Sequence, residues 1–103
     1  MKRKSMLAAL ALLVTSGAAN AGYMDAVTTT TWADFAGSQN RCPRFQVIKE
    51  AIAAERAEAG VTESYDNHDL IRQYNEDPSE FCNKAWRRLG PNGTYKRQML
   101  EAK

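Results

Sequence analysis

The sequence predicts a small all-α domain, a bundle of about four helices stapled by one disulfide. Apolar residues recur at helical spacing in successive segments, and no segment shows sustained alternation of apolar and polar residues. Cys42 and Cys82 are the only cysteines, so they have only each other as an intramolecular partner. A chain of 103 residues has room for one small domain, and domains of this size gain stability from a cross-link.

The first twenty-one residues have the pattern of a secretory signal peptide. Residues 2–4 are basic, residues 6–14 form an apolar run, and Ala19-Asn20-Ala21 matches an A-x-A cleavage site. The apolar run is shorter than the roughly twenty residues that a membrane-spanning helix needs. We therefore expect residues 1–21 to be cleaved off after Ala21, a mature chain without a transmembrane segment, and a periplasmic or secreted location.

Cleavage would change the charge balance of the chain. The full sequence has fourteen basic and twelve acidic residues, and three of the basic residues lie in the leader. Eleven basic and twelve acidic residues then remain. Because the basic surplus belongs to the leader, the charge does not indicate a nucleic-acid partner.

Two segments precede the first cysteine. Residues 22–30 contain few periodic apolar positions and lead into four consecutive threonines, so we expect a flexible N-terminal arm followed by a single helical domain over residues 31–103. Thr31 and Asp34 have the spacing of a capping box, which predicts one or two helical turns ending at Gly37.

The strongest helix signal runs from Pro43 or Arg44 to Ala59. It is rich in alanine, and Gly60 is placed to end it in the left-handed conformation. One apolar stripe runs along it, formed by Phe45, Ile48, Ile52 and Ala59.

Three further helices are expected. Asp66, with Asp69 three residues later, is expected to cap the first, which carries Leu70, Ile71 and Tyr74. The second is Pro78–Leu89, because Asp77, Pro78 and Glu80 form a compact start signal and Gly90 follows its end. Trp86 lies on the apolar face of this helix. Thr94 is expected to cap the last helix, with Tyr95, Met99 and Ala102 on one side.

The cysteines favour a structural disulfide over redox chemistry. Export leads to an oxidising compartment, and the chain has no C-x-x-C pair. A Cys42–Cys82 bridge would stabilise the fold by about 4 kcal/mol in the chain-entropy description.

The sequence offers little for catalysis, and we expect a protein that is not an enzyme and needs no cofactor. It has one histidine and no nucleophile motif such as G-x-S-x-G. A metal site is a further alternative, for which the candidates are Asp66, His68 and Asp69. Their order does not match a calcium-binding loop, and a solvated surface explains them as well.

Charge is distributed unevenly along the second half of the chain. The segment 63–80 has six acidic residues and one basic residue, whereas the segment 84–103 has the reverse. Either the two parts attract each other, or the basic residues bind an acidic protein partner. The candidates for partner binding are Lys84, Arg87, Arg88, Tyr95, Lys96 and Arg97.

The favoured function is therefore that of an exported accessory protein that acts through protein–protein contacts with another envelope or secreted protein, as a subunit, adaptor or inhibitor. The stretch Thr31-Trp32-Ala33-Asp34-Phe35 resembles the Trp-x-Cys-x-Asp-Phe entry of small periplasmic acid-stress chaperones of the HdeA/HdeB type. In this chain the cysteine follows seven residues after Phe35, as Cys42. The resemblance implies a helical fold with one long-range disulfide and, as an alternative function, an acid-stress chaperone; it assigns no functional residue.

Overall fold

The computed structural model describes residues 22–63 and 66–103; the leader and its cleavage site lie outside them. The elements of this part are α1 (residues 22–36), β1 (Phe45–Val47), α2 (Lys49–Ala59), α3 (His68–Glu76), α4 (Pro78–Leu89) and β2 (Leu100–Ala102). The described protein is mostly helical, but its two strands form a small sheet, so it is not purely all-α. Within these ranges, no helix has the length and apolar character to cross a membrane.

Helix α1 replaces the flexible arm expected at residues 22–30, and the helix start expected at Thr31 lies inside it. Ala26 and Thr30 are buried. The Thr30 hydroxyl donates to the Ala26 carbonyl at 2.6 Å, and such a bond to the preceding turn lets threonine lie within a helix. The helix ends before Gly37, as predicted.

The first part of the segment predicted as one long helix forms strand β1 instead. Helix α2 begins at Lys49 rather than at Pro43 or Arg44. Phe45–Val47 pairs instead with Leu100–Ala102 in antiparallel register, so these residues are extended.

The end of α2 agrees with the prediction. Gly60 has φ +73°, and its N–H donates to the Ala57 carbonyl. The Val61 N–H donates to the Arg56 carbonyl at 2.9 Å, which completes a Schellman motif.

The tail segment (residues 91–103) is not helical, which corrects the helix predicted after Thr94. The Tyr95 N–H donates to the Arg88 carbonyl at 3.0 Å, and the Met99 N–H donates to the Leu89 carbonyl at 2.9 Å. These bonds hold the segment against the end of α4 and direct it into β2.

Helices α3 and α4 occupy their predicted places. Helix α4 has the predicted bounds, and the Asp77 carboxylate accepts a hydrogen bond from the Glu80 N–H at 3.1 Å. Helix α3 is capped differently from the prediction: Asn67 holds the N-cap position, and Asp66 accepts from the His68 N–H at 3.0 Å.

Aromatic rings and the disulfide form the centre of the fold. Phe81 of α4 makes edge-to-face contacts with Phe35 and Tyr74, at 5.6 and 5.7 Å between ring centroids. The predicted Cys42–Cys82 disulfide is present, with 5.7 Å between the Cα atoms. It joins the segment before β1 to the middle of α4.

Candidate functional site

An open groove of about 730 Å³ lies beside the disulfide. Residues 41–45 and Ala102 form one side of it, and the other side is formed by α4. On α4, Ser79, Asn83 and Trp86 are spaced at four and three residues, so they follow one stripe of the helix. The disulfide therefore joins the two sides that border the groove.

Trp86 is the largest side chain that lines the groove. It is half-buried and stacks on the buried Phe45, with 5.3 Å between ring centroids and 14° between ring planes. The sequence indicates that both residues belong to apolar stripes, but their stacking depends on the pairing of β1 with β2. The ring is thus held by the core while part of it remains accessible.

The charged residues that line the groove are Arg41 and Arg44, and its lining contains no carboxylate. The Arg41 guanidinium lies 3.8 Å from the centre of the Phe35 ring and donates to the Phe35 carbonyl at 3.2 Å. Arg44 is exposed and forms no ion pair with the described residues. The lining therefore has positive charge only.

The six predicted partner-binding residues lie partly on α4 and partly on the tail segment, and Arg88 of the first set contacts Tyr95 of the second. On α4, Lys84 is exposed and Arg87 pairs with Glu80 at 3.2 Å. Arg88 lies 5.3 Å from the centre of the Tyr95 ring and 3.9 Å from Asp25.

Lys96, Arg97 and Tyr95 converge on Glu55 of α2, whose side chain is only 2% exposed. The Tyr95 hydroxyl donates to the Glu55 carboxylate at 2.6 Å, and the Arg97 Nε donates at 3.0 Å. The Lys96 Nζ lies at 3.4 Å. We call these four residues the Glu55 cluster; it fastens the tail segment to α2.

The surroundings of Glu55 favour its ionised form. Burial raises the pKa of this carboxyl, but the hydrogen bonds from Tyr95 and Arg97 and the charge of Lys96 outweigh burial, so the pKa is lowered. Burial and the bond to Glu55 raise the pKa of Tyr95, which stays neutral. The sequence suggests that Glu55 and Glu58 solvate a helix face, and no local pattern relates Glu55 to the distant tail segment.

The metal candidates lie on an exposed part of the chain. The Asp69 carboxylate accepts hydrogen bonds from Arg72 at 2.6 Å and from Gln73 at 2.7 Å. Asp66 and His68 are 3.8 Å apart, and both are exposed. In the described ranges, no group of three or more histidine, cysteine or acidic side chains is arranged to hold a metal ion.

Of the two sites, the groove has the groups available to a ligand. In the Glu55 cluster, donors from the same chain surround the carboxylate, whereas Ser79 and Asn83 are exposed beside Trp86 in the groove. Comparison of the chain with protein-family models, with curated proteins and with solved structures found no match. The functional conclusion therefore depends on the chemistry of the groove.

Proposed function

We propose that the protein is a small exported accessory protein that acts by binding another envelope or secreted protein, as a subunit, adaptor or inhibitor. The observation on which this function rests is the groove, where a half-buried Trp86 stacks on the core residue Phe45 and Arg44 lies exposed beside it. Tryptophan and arginine are enriched among the residues that dominate binding energy at protein interfaces.

The disulfide supports this function because it fixes the groove before a partner arrives. Cys42 and Cys82 both line the groove, one in each wall, so their bond limits how far the walls can separate. A preformed site loses less conformational entropy on binding than one that must be ordered.

Export is supported by two independent features of the chain. Residues 1–21 have the charge, apolar run and small residues of a signal peptide. The Cys42–Cys82 disulfide is compatible with an oxidising compartment outside the cytosol.

The Glu55 cluster has the features of a structural contact and not those of an acid–base catalytic site. A general acid or base works best when its pKa lies near the operating pH. The pKa of Glu55 is instead shifted downward, and its hydrogen-bond partners Tyr95 and Arg97 belong to the same chain. These features suit a group that stabilises the fold.

Native co-purification tests the proposed function. The protein isolated without denaturation from the exported fraction of the cells that make it should carry a second protein in stoichiometric amount. Asn83→Trp, which fills the groove, should abolish this, while Lys49→Trp, on the exposed start of α2, should not. Isolation of wild-type protein without a stoichiometric partner would contradict the function. Equal capture by Asn83→Trp would move the contact to another surface.

A further inference from the structure

We propose that the groove receives an extended acidic peptide segment of the partner protein, with one large apolar side chain laid against Trp86. This inference rests on the proposed function and names the chemistry that the groove selects. The groove volume of about 730 Å³ lies within the range of roughly 300–1,000 Å³ that is common for ligand sites. Because the groove is open to solvent, a peptide segment can reach its lining.

The charges bordering the groove favour an acidic occupant. Arg41 and Arg44 contribute two positive charges, and the lining contains no carboxylate. A segment with glutamate or aspartate would meet these cations, whereas a basic segment would be repelled.

The acidic residues that neighbour the lining in sequence are Asp77, Glu80 and Glu101, and each is engaged within the chain; the Asp77 carboxylate accepts a hydrogen bond from the Glu80 N–H at 3.1 Å. Glu80 pairs with Arg87 at 3.2 Å. Glu101 pairs in register with Gln46 and accepts its side-chain hydrogen bond at 3.2 Å. Since side chains alternate along a strand, Glu101 lies on the sheet face opposite to Ala102, which lines the groove.

Polar groups in the groove suit the backbone of an extended peptide. The Asn83 amide supplies donors and an acceptor, and the Ser79 hydroxyl supplies one donor and an acceptor. Both side chains are exposed. They lie about one helical turn apart on α4, because their positions in the sequence differ by four. Trp86 then provides the apolar contact further along the same stripe.

Selection from a random peptide library tests the inference directly. Phage that display random twelve-residue peptides are selected on the oxidised mature protein, residues 22–103. We expect the enriched sequences to be negatively charged and to contain an aromatic or large aliphatic residue. Arg44→Glu should lower their recovery by about tenfold or more, since like charges repel at the rim. Lys49→Glu makes the same change of charge outside the groove and should leave recovery within about twofold of wild type.

A synthetic copy of the most enriched peptide then locates the site by NMR. The amide signals of residues 41, 42, 44, 45 and 79–86 should shift most when it is added to the protein. The inference is overturned if no sequence is enriched, if neutral or basic sequences dominate, if Arg44→Glu recovers them equally, or if the shifts map elsewhere. A partner that co-purifies with wild type and equally with Arg44→Glu would retain the proposed function and reject the acidic groove ligand.

Discussion

Glu55 joins helix α2 to the tail segment through its contacts with Tyr95, Lys96 and Arg97. We expect Glu55→Gln to lower the free energy of unfolding by about 2–3 kcal/mol, because hydrogen bonds to charged groups contribute roughly 1.5–3 kcal/mol each. Urea unfolding measures this loss. Glu58→Gln is the matched control: its carboxylate also pairs with Arg97 but is mostly exposed, so the loss should stay below about 1 kcal/mol.

The lowered pKa of Glu55 also predicts how stability depends on pH. Its contribution is complete above the ordinary glutamate pKa and is lost as the pH falls through the lower pKa of the folded protein. Urea unfolding of wild type and Glu55→Gln at a series of pH values should show their stability difference shrinking in acid. A constant difference would contradict this assignment.

The same pH series tests the alternative function of an acid-stress chaperone, which requires apolar surface to be exposed in acid. The fluorescence of a dye that binds apolar surface measures that exposure.

At the scale of elements, the burial of residues in strand β2 differs from what the terminal helix expected from the sequence would give. Leu100 is fully buried, whereas Ala102 is exposed. Leu100→Ala should therefore destabilise the protein by about 2–5 kcal/mol, the usual cost of deleting a buried leucine side chain. Ala102→Ser should be nearly neutral, and thermal unfolding measures both. The reverse order of effects would favour the helix, which places Ala102 beside Tyr95 and Met99.

The two helices with local start signals could be predicted from the sequence, while both strands could not. Helix α4 has Asp77 and Pro78 at its start and a clear apolar face, and all of these are local features. Strands of three residues are too short for a recognisable alternation, and Phe45 pairs with Ala102, fifty-seven positions away. The sequence predicts the end of helix α1 but not its part over residues 22–30, because threonine lowers helix propensity and burial against the rest of the chain overrides that preference.

For the whole molecule, the disulfide is expected to make a large contribution to stability. Its reduction, or Cys82→Ala, should lower the free energy of unfolding by about 4 kcal/mol, because the bond closes a loop of forty residues. Unfolding in urea with and without a reductant measures the difference. A loss below about 1 kcal/mol would show that the remaining contacts already confine the unfolded chain.

The candidate site depends on the whole fold. The sequence therefore predicts some of its residues but not that they lie next to one another. The cysteine pair follows from residue type alone, and Trp86 falls on a predicted apolar face. The groove forms only when the disulfide and the sheet bring Arg44 and Phe45 next to α4. The sequence likewise suggests one basic surface near the end of the chain. In the structure, the tail segment places Lys96 and Arg97 against Glu55.

Site-specific photo-crosslinking in the producing cell tests the binding function most directly. A benzophenone amino acid replaces Asn83 in the groove or, as a control, Lys49 on the exposed start of α2. Illumination should join the Asn83 variant to one discrete protein in the exported fraction, and mass spectrometry of the adduct should identify an acidic segment at the link. The Lys49 variant should give no such adduct. Absence of an adduct at position 83, or the same adduct at both positions, would contradict binding through the groove.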